Sequence, residues 1–77
     1  MEKTVKTKKI TESKEFGAAL RRRRKELNYT QAGVSEITGF SVSFISDLER
    51  GKKTAELEKA LYLANMLGVD VFLRARG

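Results

Sequence analysis

Seventy-seven residues without one cysteine, histidine or proline make a single small domain near the lower limit at which an apolar core stabilises a fold unaided. The missing residue types exclude disulfides, the common zinc sites and any serine or cysteine triad with a histidine base, so the chain reads as a binding protein with no cofactor and no catalysis. The net charge of +6 is lopsided: residues 1–27 hold ten Lys/Arg against four Asp/Glu, and residues 28–77 hold six of each. This distribution suits a phosphate backbone or an anionic membrane surface, and a merely solvated charged face would carry it too.

Residues 1–12 form a basic arm, in which VKTKKI (5–10) is a weak strand candidate. The first ten residues lack the apolar segment of a signal peptide, and no run approaches the ~20 apolar residues that span a bilayer. The expected compartment is therefore the bacterial cytoplasm, at the nucleoid. Neither a repeat nor a linker divides residues 13–68, which are expected to form one domain of four short helices.

Ser13 is the expected N-cap of a helix that begins at Lys14, carries Phe16, Leu20 and Leu27 at helical spacing, and ends at Asn28, a residue that tolerates the left-handed conformation. Thr30 caps a second helix, with Val34 and Ile37 on one face and Gly39 as its stop. A third runs from Ser41 to just before Gly51. Thr54 caps a fourth through Leu57, Ala60, Leu61, Ala64 and Leu67 to Gly68. The tail VDVFLRA is β-rich, and residues 69–77 are expected to include a terminal strand. The second and third helices, joined by a short glycine-containing turn, have the spacing of a helix-turn-helix, a spacing that also occurs in bundles that bind nothing.

At about 100° per residue, Phe44, Ile45 and Leu48 fall in one sector of the third helix, while Val42, Ser43, Ser46, Asp47 and Arg50 point the other way. Short side chains allow close approach to another surface. Valine can pack on a thymine methyl, serine can bond several base edges, and aspartate can accept from the cytosine amino group. The bland alternative is an ordinary solvated face with Ser41 as N-cap. Gln31 tips the balance, because it lies just past Thr30, where free amides and the helix dipole favour a phosphate. Arg50, Lys52 and Lys53 cluster after the third helix as a second backbone clamp.

Taken together, TQ at 30–31, TGFS at 38–41 and FISDLERGK at 44–52 resemble the Xre/Cro-type helix-turn-helix repressors over residues 13–68. The lead-in KKITESKEFGAALRRRRKEL and the tail VDVFLRA are most similar to HipB-type antitoxins, which pair with a HipA-type kinase toxin and repress their own operon as dimers. The resemblance implies an all-α, lambda-repressor-like four-helix domain. It implies base reading by Val42, Ser43 and Asp47, with Ser46 nearby, and phosphate contacts from Gln31, Ser41, Arg50 and Lys52. It also implies a salt bridge between Arg24 and Glu49. From position alone Arg23 and Arg24 are both candidates for that bridge, each flanking the apolar stripe, and Arg21 and Arg22 are solvated or phosphate-directed. Gly33 and Ser35 depart from the family pattern, the glycine at a cost of about 1 kcal/mol against alanine.

On the fourth helix, Tyr62, Leu63 and Met66 lie round the side from Leu57, Leu61 and Ala64. They pack either on the terminal strands or across a two-fold interface that Val71, Phe72 and Leu73 extend by strand pairing; the resemblance favours the dimer. A dimer would set two recognition helices about 34 Å apart on double-stranded DNA and so read a palindromic operator. The expected function is a dimeric, sequence-specific repressor, the autoregulating antitoxin of a HipA/HipB-like operon. The alternatives are a module that holds a HipA-like kinase toxin or another enzyme with weak DNA binding, and a stand-alone phage-type repressor. A membrane-surface role fits poorly, because the basic first helix lacks a large apolar face.

Overall fold

The computed structural model describes residues 7–77. Four helices follow one another, α1 (Ser13–Glu26), α2 (Gln31–Thr38), α3 (Val42–Glu49) and α4 (Leu57–Met66), and no strand occurs among the described residues. Helix α3 is the hub, with both α1 and α2 packed on it. The core is made of Leu20 from α1, Val34 from α2, Ile45 and Leu48 from α3, and Ala60, Leu63, Ala64 and Leu67 from the α4 segment, ringed by Phe16, Leu27, Phe40, Phe44, Ala55 and Val69.

The connections obey local chemistry. Asn28 takes the left-handed conformation that ends α1, at φ 62°, and Gly39, Gly51 and Gly68 do the same after α2, α3 and α4. Thr30 Oγ accepts from the Gly33 amide at 2.9 Å, and Ser41 Oγ accepts from the Phe44 amide at 3.0 Å, so α2 and α3 are both capped by side chains. The turn between them is tied down: the Ser35 hydroxyl donates to the Phe40 carbonyl, and the Phe40 amide donates to Thr38 Oγ at 3.2 Å. Ser35 thus reinforces the turn.

Two expected caps are displaced. Glu12, not Ser13, precedes α1; the Glu15 carboxylate accepts from the backbone amides of Thr11 and Glu12 at 2.8 and 3.2 Å, a reciprocal arrangement that fixes the start one residue earlier. Ser13 instead donates to the Gly51 carbonyl at 3.0 Å, pinning the start of α1 to the end of α3. Thr54 lies in a turn and α4 begins at Leu57, after Glu56. The delay seats Ala55 against the core.

Helix α1 approaches α3 closely at Gly17, where a Cβ would sit 2.1 Å from the Leu48 carbonyl oxygen. Only a residue without a side chain fits there. A glycine in mid-helix costs about 1 kcal/mol against alanine, and here that cost is offset by contact between the two backbones.

Helix α4 is rotated from its expected orientation. Its buried residues Ala60, Leu63, Ala64 and Leu67 follow the i, i+3, i+4, i+7 pattern, and the two alanines let the backbone come close enough to bury the flanking leucines. Leu63 is 1% exposed and cannot serve the interface expected of it, whereas Leu57 and Leu61, expected in the core, are exposed. Ile37 likewise points outward while Val34 fills the core. The expected strand at 69–75 is absent: Val69 donates to the Ala64 carbonyl at 2.8 Å, and beyond it Val71, Phe72 and Leu73 are exposed, Leu73 at 99%. A strand needs a neighbour, and the described residues of this single chain offer none. Of the expected N-terminal strand, residues 5 and 6 lie outside the described residues, and residues 7–10 form no strand.

Candidate nucleic-acid interface

The site is built on α3, which is clamped from behind. Arg24 donates to Glu49 through Nε at 2.7 Å and Nη2 at 3.0 Å, and through Nη1 to the Tyr29 carbonyl at 2.9 Å. Both charged groups are buried. Gln31 Nε2 donates to the same Glu49 carboxylate at 3.0 Å, so one carboxylate links α1, the start of α2 and the end of α3. Burial by itself would raise the Glu49 pKa, but hydrogen bonds from Arg24 and Gln31, together with the charges of Arg24 and Arg21, outweigh it and hold the carboxyl below its ordinary value. Losing one partner of such a pair strands the other charge in a dry environment, at about 3–5 kcal/mol.

The neighbouring arginine does a different job. Arg23 donates through Nε to the Leu67 carbonyl at 2.9 Å and meets Glu26 at 3.4 Å, so it caps the C-terminus of α4. Position alone left Arg23 and Arg24 equivalent as partners for Glu49. The geometry separates them.

With Ile45, Leu48 and Glu49 buried, the opposite side of α3 faces out. Val42 and Ser43 are exposed, and Ser46 and Asp47 are half-buried on the same side. Asp47 is engaged: Arg50 Nη2 lies 2.7 Å and Lys52 Nζ 3.7 Å from its two carboxylate oxygens. Two of the bases expected to hold phosphate therefore share one aspartate, while Lys53 stands exposed with no ion pair among the described residues. Ser41 uses a hydroxyl lone pair as the cap of α3 and keeps its O–H free to donate. Gln31 turns inward: one of its amide hydrogens goes to Glu49, which leaves the other and the free amides of the first turn of α2 at the surface.

Behind the N-terminus of α3, Phe40 meets Phe44 at 5.0 Å between ring centroids and Tyr62 edge-on at 5.6 Å, so the turn between α2 and α3 is braced against α4. Tyr62 is thereby half committed within the chain, with the rest of its ring open beside Met66.

Sequence reasoning missed the close approach at Gly17, the Ser13 tie to Gly51 and the Arg23 cap. A glycine inside an otherwise helical pattern was the one available signal, since it commonly marks close packing. The other two depend on a carbonyl brought near by folding.

Residues 15–77 match the model of a family described as a helix-turn-helix domain. A protein of Sinorhizobium fredii (strain NBRC 101917 / NGR234), the uncharacterized HTH-type transcriptional regulator y4mF, is 37% identical over 70 residues, covering 91% of this chain and 92% of its own length. Among solved structures, a HipB–O2 20mer complex superposes with a TM-score of 0.83 at 19% identity, covering 94% of this chain and 100% of that one. A HipA–HipB–O2–O3 complex matches with a TM-score of 0.82 at 18% identity, covering 92% of this chain and 100% of that one. At such low identity these likenesses establish a shared fold.

Proposed function

The chain belongs to the helix-turn-helix domain family of transcriptional regulators, and from that membership we propose that it is a sequence-specific DNA-binding repressor that occludes a promoter by binding a palindromic operator as a dimer. The observation that carries this reading is the outward side of α3. Val42, Ser43, Ser46 and Asp47 are short, lie together, and are followed at the end of α3 by Arg50, Lys52 and Lys53, where the N-terminus of α2 also lies, Gln31 bonded to Glu49. A helix laid in the major groove needs this combination: short groups near its start to meet base edges, and cations and amides at its borders to hold the phosphates.

The dimer surface is formed by the apolar groups Tyr62 and Met66 on α4 and Val71, Phe72 and Leu73 on the tail. These groups are exposed in the single chain, and an apolar patch of this kind marks an interaction surface. Pairing of residues 69–75 with the same segment of a second copy would satisfy the backbone groups that a lone tail leaves open. In biological terms the protein is the autoregulating antitoxin of a toxin–antitoxin operon, with a HipA-like kinase as its partner. The fold shared with HipB in the HipA–HipB–O2–O3 complex supports this assignment.

Gel-shift titration on the DNA upstream of its own gene, at several salt concentrations, tests the repressor reading. Tighter binding to that DNA than to random duplex is expected, and equal binding refutes sequence specificity. Co-expression with the neighbouring gene tests the antitoxin: a kinase-like product should co-purify with this chain.

A further inference from the structure

Lys14, Arg21, Arg22 and Lys25 stand exposed along α1, over about 16 Å of axis at the helical rise per residue. With Ala18 between them and Arg50 at the end of α3, they line one shallow groove whose only carboxylates among the described residues are Glu26 and Glu49. Both carboxylates are taken: Glu26 meets Arg23 at 3.4 Å, and Glu49 holds Arg24 at 2.7 Å. No carboxylate among the described residues comes within ion-pair distance, 4.0 Å, of Lys14, Arg21, Arg22 or Lys25. The groove therefore holds four cations with no ion pair among the described residues and shares a fifth, Arg50, with the border of the α3 surface.

We propose that this groove is a second phosphate site, which holds the backbone of the same duplex beyond the bases that α3 faces, so that the footprint runs into flanking DNA. The inference rests on the DNA-binding reading and deepens it. Arg50 joins the two surfaces: it lies one helical turn past Asp47 and also lines the groove. A DNA strand presents one phosphate per 3.4 Å or so of duplex axis, so a groove of this length can meet several. Ala18 is its one apolar side chain. A protein partner would call for a buried apolar or aromatic anchor, whereas a row of cations without such an anchor fits a regular line of phosphates.

The test uses the whole chain and two duplexes that share one core, the shortest upstream segment still preferred over random sequence. One duplex ends at the core and the other continues for about ten base pairs, one helical turn, on each side. Wild-type protein should bind the longer duplex at least tenfold more tightly. Its salt slope should be steeper by close to 0.9 for each added phosphate contact. The triple variant Arg21→Gln/Arg22→Gln/Lys25→Gln should bind both duplexes alike and still prefer the core over random DNA. Ala18→Glu, which puts a carboxylate in the groove without removing a base, should lose the same gain while circular dichroism shows an unchanged fold. Equal wild-type binding to the two duplexes overturns the inference alone, as does a flank gain that survives in both variants. Wild-type protein with no preference for any upstream core overturns the repressor reading and this inference with it.

Discussion

Helix α3 carries two arginine–carboxylate pairs, each closing at 2.7 Å, on its opposite sides. On the inner side Arg24 and Glu49 are buried and fully hydrogen-bonded; on the outer side Asp47 holds Arg50, whose side chain is 73% exposed. Distance does not separate the pairs, but surroundings do. Inside, neither charge has water to fall back on, so the pair fastens three helices. Outside, water screens the attraction, and such a contact is worth between nothing and about 1 kcal/mol, which leaves Arg50 free to exchange a carboxylate for a phosphate. The helix is thus locked on the side that positions it and exchangeable on the side proposed to meet DNA.

The strongest way to break the contrast is to remove Glu49. Glu49→Ala should destabilise the fold by about 3–5 kcal/mol in urea unfolding, because Arg24 is left buried without a counter-ion. A loss below about 1 kcal/mol would mean that the inner pair behaves like the outer one. The same carboxylate predicts an acid limb. Its pKa is lower in the folded than in the unfolded chain, so the unfolded chain takes up the proton first. The stability that the pair contributes is complete above about pH 5 and is lost as pH falls through the ordinary carboxylate range and below it. Unfolding midpoints measured from pH 7 to pH 3 should fall less steeply in Glu49→Gln than in wild type.

Gly17→Ala tests the same seam without touching charge. The added methyl would meet the Leu48 carbonyl, and pushing α1 away should cost about 1–3 kcal/mol, although alanine is the better helix former. A stabilised variant would show that the seam can yield.

Substitutions on the outer side should leave thermal stability within about 0.5 kcal/mol and change binding instead. Asp47→Asn releases Arg50 and Lys52 and should raise affinity for every duplex several-fold. If preference for the upstream DNA survives unchanged, Asp47 restrains non-specific binding; if it falls, Asp47 reads a base. Arg50→Gln should give the smallest change, lowering the salt slope by about one unit with sequence preference retained. An unaltered slope would place Arg50 off the backbone.

Much of this architecture was legible from residue types alone. Helix order, the left-handed stop at Asn28, the glycine stops, and the caps Thr30 and Ser41 all depend on neighbours within four residues, so local chemistry settles them. The two sides of α3 were equally readable, because Phe44, Ile45 and Leu48 alternate with short polar groups at helical spacing. Where several apolar residues compete for one core, spacing was a poorer guide. On α4 the leucines at 57, 61 and 63 were interchangeable by type, and the close fit allowed by Ala60 and Ala64 selected Leu63. The tail VDVFLRA has strand composition and forms no strand here, since a ladder depends on a neighbour that composition does not supply.

The sequence by itself determined the order of four helices, the caps Thr30 and Ser41 of two of them, the outward set Val42, Ser43, Ser46 and Asp47, and the excess of cations in the first third, because propensity, capping and charge are properties of a short stretch of chain. Only the tertiary structure decided which of two adjacent arginines meets Glu49, why residue 17 must lack a side chain, and that four cations of α1 share a groove with Arg50. Each of these depends on groups far apart in the chain being brought within a few ångströms, and folding alone brings them there.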